Sequence, residues 1–256
     1  MSLLSLEAIT QRFGGLTAVS ELDFYLQEGE LVGLIGPNGA GKTTVFNLIT
    51  GIYAPTEGRI RFDQKEIGGA KPFDINRAGI ARTFQNIRLF PELTVIENVS
   101  LAYYGALGYG FWGALLRTKK FRAEEAEFKA RAGELLELLG LSEVSADPAT
   151  ALSYGNQRRL EIARALATNP RLLLLDEPAA GMNSQETEDL RRLVLRLRDE
   201  LKLTILLIEH DMRFVMGLCE RIAVLDYGEK IAEGSPSEIR ANPKVIEAYL
   251  GEEVEL

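Results

Sequence analysis

A glycine-rich run ends in a lysine and two threonines, in the order Gly36-Pro-Asn-Gly-Ala-Gly41-Lys42-Thr43-Thr44. It matches G-x-x-x-x-G-K-[ST], follows a continuous apolar run and precedes a helical pattern. Its glycines let several backbone N–H groups point at one anion, and the following helix adds the positive end of its dipole. Lys42 can reach the β- and γ-phosphates, and the Thr43 hydroxyl is the expected Mg²⁺ ligand. The run predicts a site for a purine nucleoside triphosphate without separating kinases, GTPases and motor ATPases.

Two carboxylates follow a second apolar run, Leu172 to Leu175. If this run is a buried strand, Asp176 and Glu177 lie at its carboxyl end, where open α/β sheets bind ligands. Asp176 suits Mg²⁺, which prefers oxygen ligands, and Glu177 is placed to polarise an attacking water. A solvated acidic strand end is the alternative, but the phosphate loop elsewhere in the chain favours the chemical role.

His210, the single histidine, follows a third apolar run at 204–208. A lone histidine is often a satisfied structural residue. Parallel strands, however, bring their carboxyl ends to one sheet edge, so we expect His210 near Asp176 and in a functional role. Gln85, after Ala81-Arg-Thr-Phe84, is uninformative by itself.

A second candidate anion site lies at Leu152-Ser-Tyr-Gly-Asn-Gln157, before a predicted helix at 157–168. Ser153 offers a hydroxyl, and Gly155 allows close backbone approach at a helix N-terminus. A simple helix cap by Ser153 explains the same residues equally well. The residues alone leave both interpretations open.

The elements that must position these residues follow from hydrophobic periodicity. Alternating patterns predict strands with one solvated face, and continuous apolar runs predict strands buried on both faces. Strands alternating with helices predict an α/β fold with a mainly parallel sheet. The predicted strands are 3–9, 20–26, 31–35, 58–62, 171–175, 203–209, 221–225 and 230–233, and the predicted helices include 43–50 and 184–201.

The middle of the chain differs, because residues 94–140 carry helical signals. One predicted face is apolar and the opposite face is charged. An aromatic- and glycine-rich segment at 103–112 interrupts these signals and is expected to be a loop between helices. The apolar face comprises Phe128, Ala132, Leu135, Leu136 and Leu139.

Composition narrows the functional classes. The chain has 256 residues and a net charge of −8, which argues against a general nucleic-acid binder. The single cysteine, Cys219, excludes an intrachain disulfide and is expected to be a small buried residue. No apolar run approaches the roughly 20 residues of a spanning helix, and the first residues do not resemble a signal peptide. We therefore expect a cytoplasmic protein.

Taken together, these motifs resemble those of ATP-binding cassette (ABC) transporter ATPases over nearly the whole chain. Gly36 to Thr43 is similar to the Walker A loop and Leu172 to Asp176 to the Walker B strand. The segment Leu152 to Gln157, called the signature below, is similar to LSGGQ. The resemblance implies a P-loop NTPase (RecA-like) core, an antiparallel β subdomain and an inserted α-helical subdomain. It also implies ATP and Mg²⁺ as ligands.

The resemblance assigns a role to each matching residue. It implies Glu177, His210, Gln85 and Lys42 as catalytic residues, with His210 and Gln85 as γ-phosphate sensors. Two cassettes pair head to tail in this family, so each signature faces the partner's ATP. The implied nucleotide contacts are Phe13 (stacked on adenine), Val19, Gly36, Pro37, Asn38, Gly39, Ala40, Gly41, Lys42, Thr43, Thr44, Ser153, Gly155 and Asn156, and the implied metal ligands are Thr43, Gln85 and Asp176.

Three positions depart from the usual family pattern. Tyr154 stands where a glycine is usual in the signature, and Asn156 replaces the first of two glutamines. Asn183 stands where many members have an aspartate in the loop that contacts the partner. These departures bear on coupling across the dimer, whereas Gly155 is retained.

A narrower resemblance points to branched-chain amino acid importer ATPases. It rests on Arg82 to Asn98, Glu177 to Asn183 and Asn242 to Gly251. On this basis 1–256 is one ABC ATPase domain. Its expected parts are a nucleotide-binding core (1–87 and 158–236), a helical subdomain ending in the signature (88–157) and a C-terminal helical tail (237–256).

The resemblance implies an ATPase that powers import of branched-chain or other hydrophobic amino acids. Expected partners are a second cassette, either a paralogue or a second copy, and two polytopic permease subunits, with a periplasmic or extracellular solute-binding protein acting indirectly; nucleic acid is not expected. The chain would then lie peripherally on the cytoplasmic face of the membrane, with permeases contacting the segment 87–99. Alternatives are a lipopolysaccharide-export ATPase, a soluble cassette ATPase for iron–sulfur assembly, and a nucleotide-binding regulator without turnover.

Overall fold

The computed structural model describes residues 2–106 and 115–249 and shows two compact units. The first unit comprises Met1–Gln85 with Arg171–Leu256, and the second comprises Asn86–Pro170. The second unit ends later than the expected boundary at 157, because it contains the whole helix that begins within the signature, Tyr154–Leu166. Part of the expected loop at 103–112 and the last residues of the expected tail lie outside the described residues.

The strands of the first unit form two sheets. The larger has six strands, and the smaller has four. Within the described residues the strands are β1 (Ser2–Phe13), β2 (Leu16–Gln27), β3 (Leu31–Ile35), β4 (Glu57–Phe62), β5 (Lys65–Glu66), β6 (Ile80–Arg82), β7 (Leu172–Asp176), β8 (Thr204–Ile208), β9 (Arg221–Asp226) and β10 (Glu229–Gly234).

The six-stranded sheet has the order β10-β9-β3-β8-β7-β6. Strands β9, β3, β8, β7 and β6 pair in parallel, and β10 pairs antiparallel with β9. All residues of β3, β7 and β8 are buried, as their continuous apolar runs predict. Because β3, β8 and β7 are neighbours, their carboxyl ends lie at one edge of the sheet. The expected mainly parallel α/β sheet is confirmed.

The four-stranded sheet is antiparallel and has the order β2-β1-β4-β5. Alternate residues of β2, Leu22, Phe24 and Leu26, are buried, which matches the period of a strand with one covered face. They belong to a core cluster that also contains Phe46 and residues of the parallel sheet. The expected antiparallel β subdomain is therefore present and shares its core with the larger sheet.

Helices of the first unit bury apolar faces. In the longest, Leu190, Leu193, Val194 and Leu197 recur at helical spacing and are buried. The helices are α1 (Lys42–Ile49), α2 (Pro72–Ala78), α6 (Ser184–Leu201), α7 (Met212–Leu218), α8 (Pro236–Ala241) and α9 (Pro243–Tyr249), numbered along the whole chain.

The second unit is helical within the described residues. Its helices are α3 (Val95–Ser100), α4 (Lys119–Leu138) and α5 (Tyr154–Leu166), and a 3₁₀ helix, Leu101–Ala106, follows α3. On α4 the predicted apolar face is confirmed, because Phe128, Ala132 and Leu136 are buried. The ring of Phe128 stacks on that of Tyr103 with centroids 5.5 Å apart.

None of the helices described within residues 2–106 and 115–249 is both long and apolar enough to span a membrane.

Cys219 is buried, as expected, and burial raises the pKa of its thiol. A β-carbon on Gly33 would come within 3.1 Å of its Sγ atom, so the thiol fills space against β3. Its role is packing.

Candidate functional site

The phosphate loop connects the end of β3 to the start of α1. Gly36 has φ +151°, and a β-carbon there would lie 2.0 Å from the carbonyl oxygen of Leu225. Gly41, the N-cap of α1, has φ +101°, and its β-carbon would lie 2.5 Å from the carbonyl oxygen of Ala18. Only glycine fits at both positions. Gly41 has no side chain to cap α1, and the start of a helix is a place where backbone N–H groups bind anions.

Lys42 is buried, and its Nζ donates to the carbonyl oxygens of Gly36 (2.6 Å) and Pro37 (2.8 Å). The ammonium group is therefore held inside the loop by the loop's own backbone. Thr43 is exposed and Thr44 is half-buried at the start of α1. A phosphate entering the loop would find a positive charge already in place.

In the rest of the loop, one residue is hydrogen-bonded to a neighbouring turn and others are exposed to solvent. Ala40 is buried, and its carbonyl oxygen accepts from the backbone N–H of Gly228, 3.1 Å away. Pro37 is half-buried, whereas Asn38 and Gly39 are exposed. The loop is thus fixed to the β9–β10 turn while presenting backbone to solvent.

Two predicted nucleotide contacts lie on the antiparallel sheet. Phe13 is 41% exposed, and its ring meets that of Tyr53 edge to face with centroids 5.0 Å apart. This leaves a ring face that a base could stack on. Val19 is fully buried, and a β-carbon on Gly41 would be 3.4 Å from its Cγ2. It packs behind the loop, and its expected contact with nucleotide stays a prediction.

The acidic pair lies at the end of β7, where it was predicted. Glu177 has φ +46°, a strained conformation for a residue with a side chain. Gln85 Nε2 donates to Glu177 Oε2 at 2.7 Å, and His210 Nδ1 lies 3.7 Å from the same oxygen. Two residues from distant parts of the sequence, Gln85 and His210, thus meet at the Glu177 carboxylate.

Glu209, beside His210, was not predicted and is almost fully buried. Its Oε1 accepts from the backbone N–H of Ala179 at 2.8 Å, and its Oε2 accepts from that of His210 at 3.2 Å. Burial raises the pKa of this carboxyl group. It ties the segment after β7 to the segment after β8. An acidic residue directly after a buried strand was the available signal.

Asp176 is buried and pairs with a residue that the motifs did not single out. Arg82 Nη2 donates to Asp176 Oδ2 at 2.6 Å, and both side chains are less than a tenth exposed. The backbone N–H of Asp176 lies 3.4 Å from Thr83 Oγ1. The sequence offers little signal for this pair, because 94 positions separate its members.

The predicted metal ligands are a hydroxyl (Thr43), an amide (Gln85) and a carboxylate (Asp176), all of which offer oxygen. This donor set fits Mg²⁺, which prefers oxygen and keeps several ligands from water or phosphate. Within the described residues no group of three or more His, Cys, Asp or Glu side chains is arranged to hold a metal ion. The set thus supplies one negative charge and leaves further ligands to the nucleotide.

In the second unit the signature forms the start of α5. Ser153 is the N-cap, and its Oγ accepts from the backbone N–H of Asn156 at 3.4 Å. Ser153 is exposed, and Gly155 and Asn156 are half-buried. The cap interpretation is therefore correct, and it leaves the hydroxyl at the surface of a helix N-terminus.

Tyr154, the departure in the signature, is held by its own helix. Its hydroxyl accepts from Arg158 Nη2 at 3.2 Å, and Arg158 Nη1 donates to Glu161 at 2.7 Å. Arg158 is fully buried and Glu161 nearly so, whereas the tyrosine is 41% exposed. The larger side chain thus takes part in a chain of contacts along α5.

Asn183, the other departure, caps α6. Its Oδ1 accepts from the backbone N–H groups of Gln185 (2.9 Å) and Glu186 (3.0 Å), and the Glu186 carboxylate accepts from the backbone N–H of Asn183 (3.0 Å). This capping box is a stabilising helix start. Asparagine can serve here as well as aspartate, which gives the substitution a physical reason.

The segment expected to contact a membrane subunit is organised around Asn98, which is fully buried on α3. Asn98 Nδ2 donates to the carbonyl oxygens of Phe90 (3.0 Å) and Thr94 (3.1 Å), and its Oδ1 accepts from the N–H of Phe90 at 2.9 Å. Arg164 packs on the Phe90 ring at 4.8 Å. This holds the Phe90 ring 47% exposed on an ordered loop.

Comparison with known proteins places these features in one class. A family model described as ABC transporter matches residues 19–180, and one described as branched-chain amino acid ATP-binding cassette transporter matches residues 229–255. The chain belongs to the ABC transporter family of ATP-binding cassettes, and it is a nucleotide-binding ATPase.

Two relatives make the likeness more particular. The chain is 50% identical to the high-affinity branched-chain amino acid transport ATP-binding protein BraF of Pseudomonas aeruginosa. It is 51% identical to the protein LivG of Salmonella typhimurium, which has the same description. Each match covers 98% of this chain and 98% of the relative.

Solved structures agree with this assignment. The ADP conformation of an ATP-binding cassette of an ABC transporter matches 98% of this chain and 100% of that chain, with 36% identity and a TM-score of 0.86. A dimeric bacterial ABC transporter cassette matches 91% of this chain and 98% of that chain, with 29% identity and a TM-score of 0.75. The expected P-loop NTPase core is confirmed.

Proposed function

We propose that this chain hydrolyses ATP to power the import of branched-chain amino acids. The observation that carries the proposal is the meeting of Gln85 and His210 at the Glu177 carboxylate, in the same unit as the phosphate loop. The solute comes from the relatives, which are described as branched-chain amino acid transport proteins. No described contact favours the export or the iron–sulfur alternative.

ATP binding would use groups that are already in place. The N–H groups at the start of α1 and the ammonium of Lys42 would hold the phosphates, as helix N-termini and P-loop lysines do. The backbone N–H groups of Gly36, Asn38, Gly39 and Gly41 would add to them, with Pro37, Ala40 and the Thr44 side chain beside the phosphates. The adenine would stack on the exposed face of Phe13.

Asp176, Thr43 and Gln85 would hold Mg²⁺ together with the phosphates. The bound ion would neutralise phosphate charge as it develops during transfer. Asp176 is the only carboxylate in this set, and its position at the end of β7 is fixed by the parallel pairing of that strand with β8.

Hydrolysis needs a base that orients water, and Glu177 is the carboxylate best placed for that role. Its Oε2 accepts from Gln85 Nε2 at 2.7 Å, and its backbone is held at φ +46°, a strained conformation of the kind found at functional sites. Gln85 and His210 would sense the γ-phosphate. Their contacts with Glu177 would therefore change when the γ-phosphate is released. Different affinities of the closed state for ATP and ADP would drive the cycle.

The partners follow from the family. A second cassette, either a paralogue or another copy, would bring the Ser153, Gly155 and Asn156 of one subunit to the other's ATP. The ordered loop around Phe90 would contact one of two permease subunits, so that the chain works at the cytoplasmic face of the membrane. A solute-binding protein would act through those permeases.

The Glu177→Gln variant tests the catalytic proposal. We expect its ATP affinity to stay within about threefold and its turnover to fall by about 100-fold or more, because the base is lost and the phosphate loop is intact. ATP hydrolysis and nucleotide binding would be measured on the same preparations. Glu229→Gln, an exposed carboxylate on β10, is the matched control and should behave as wild type. Near-normal turnover of Glu177→Gln would remove Glu177 from its role.

The solute is tested with the two membrane subunits present. Vesicles that contain the complex, supplied with its solute-binding protein, should take up leucine, isoleucine or valine together with ATP hydrolysis, and Glu177→Gln should abolish both. An ATPase-active complex that moves none of these amino acids would overturn the assigned solute while leaving the ATPase assignment intact.

A further inference from the structure

The positively charged guanidinium of Arg82 lies against the carboxylate of Asp176, which we propose as a metal ligand. The guanidinium donates to Asp176 Oδ2 at 2.6 Å, and neither side chain is more than 7% exposed. In this interior environment the pair is poorly screened by solvent. The Asp176 carboxylate therefore has two partners to satisfy: it is paired with the Arg82 guanidinium, and it is also the proposed ligand of the metal ion.

Arg82 is itself fixed by several partners. Its Nη1 donates to Asn47 Oδ1 on α1 at 2.7 Å and lies 3.4 Å from Oγ1 of Thr50, the C-cap of that helix. Its guanidinium lies over the rings of Phe46 (5.4 Å) and Phe84 (5.3 Å). Aromatic faces favour a cation in this position. The arginine is therefore held in place even when one partner changes.

We propose that Arg82 is an internal counter-ion of Asp176 that keeps the metal site weak until nucleotide supplies its phosphates. Two cations that share one buried carboxylate repel each other, so Arg82 lowers the affinity of the site for a divalent ion alone. The triphosphate brings enough negative charge to outweigh this repulsion. The inference rests on the proposed function, since it takes Asp176 as a metal ligand.

This arrangement has a benefit that a bare carboxylate would lack. A buried ionised carboxylate without a partner is costly, and Arg82 offsets part of that cost in the nucleotide-free protein. Arg82 also links the end of β7 to α1, the helix that begins at the phosphate loop. Metal arrival would weaken one of its contacts, whereas those with Asn47 and the two rings would persist.

Binding of Mn²⁺ alone, followed by electron paramagnetic resonance on the full chain without nucleotide, tests the proposal. Wild type should bind weakly. Arg82→Met, of similar length and compatible with the two rings, should bind at least about tenfold more tightly. Its melting temperature should be below wild type in EDTA and should recover with Mg²⁺. Arg82→Lys, which keeps the charge, should resemble wild type in its Mn²⁺ affinity.

Two further variants separate charge from packing. Arg82→Gln keeps hydrogen-bond donors without the charge, and it should also tighten Mn²⁺ binding. It serves if Arg82→Met does not fold. Arg82→Met with Asp176→Asn removes both charges and should lose the response to metal.

The proposal fails if neither neutral variant binds Mn²⁺ more tightly than wild type. It also fails if wild type without nucleotide already binds Mn²⁺ as tightly as those variants through Asp176. Wild type with ATP serves as the separate check on the proposed function. If Asp176→Asn leaves Mn²⁺ binding with ATP unchanged, Asp176 is no ligand and the proposed metal site itself is wrong.

Discussion

At the residue scale, the site depends on carboxylates held in three different environments. Asp176 is paired with a buried guanidinium, and Glu177 meets an amide and an imidazole. Glu209 is buried on backbone N–H groups. Their environments differ although all three lie at the carboxyl ends of buried strands. The sheet fixes where each carboxylate lies, and its immediate partners determine what each one can do.

The environment of Glu209 predicts a pH dependence of stability. Burial raises its pKa above the ordinary 4.5 in the folded chain and outweighs the backbone hydrogen bond from Ala179, which acts in the opposite sense. Between 4.5 and the raised pKa the folded state binds more protons than the unfolded state, so the free energy of unfolding falls as pH rises. The contribution of Glu209 is complete below pH 4.5.

Glu209→Gln should remove this slope. Urea unfolding at several pH values from 4.5 to 8 should show the variant gaining stability relative to wild type as pH increases. Glu229→Gln, an exposed carboxylate of the same unit, is the control and should keep the wild-type slope. Parallel curves for wild type and Glu209→Gln would show that Glu209 does not titrate differently on folding.

At the element scale, the phosphate loop is defined by how closely other backbone approaches it. Gly36 and Gly39 both have positive φ, but only Gly36 has no room for a methyl group, since Leu225 O would lie 2.0 Å from it. A β-carbon on Gly39 would meet nothing within 4 Å. An alanine at Gly39 would therefore meet backbone strain alone, whereas an alanine at Gly36 would meet both backbone strain and steric overlap.

Gly39→Ala should cost about 1 to 2 kcal/mol of unfolding free energy, the strain of a left-handed residue with a side chain. Gly36→Ala should cost at least about 2 kcal/mol more, because the β9 backbone must move as well. Chemical denaturation of both variants measures the difference. Equal decreases in the free energy of unfolding would mean that the β9 backbone moves away from the loop at little cost.

The same scale shows what the sequence could predict. Strands β3, β7 and β8 were predicted because their residues are apolar throughout, and α6 because its apolar positions recur at helical spacing. Strand β6 has only three residues and gave no periodic signal. The contacts of Arg82 and Glu209 were missed, because they join residues distant in sequence and no residue type identifies its partner. Pairing across a sheet is set by topology.

At the scale of the whole molecule, an acidic chain is proposed to bind a polyanion. The net charge of −8 is no obstacle, because binding depends on the local arrangement of N–H groups and Lys42. The groups proposed to contact nucleotide are divided between the two units, with the signature in the second. In the pairing proposed above, the signature of one subunit would complete the site of another, so ATP binding and pairing could be measured separately.

Ser153→Arg tests that separation. In the Glu177→Gln background, ATP should produce a two-cassette species in light scattering, from the chain alone or mixed with the second ATPase of its transporter. Adding Ser153→Arg should abolish that species, because a bulky cation would occupy the exposed start of α5. ATP should still bind the single chain with nearly unchanged affinity, since the phosphate loop is untouched. Ser142→Arg, also exposed in the second unit, should leave pairing intact. Pairing that persists in Ser153→Arg would place the signature outside the shared site.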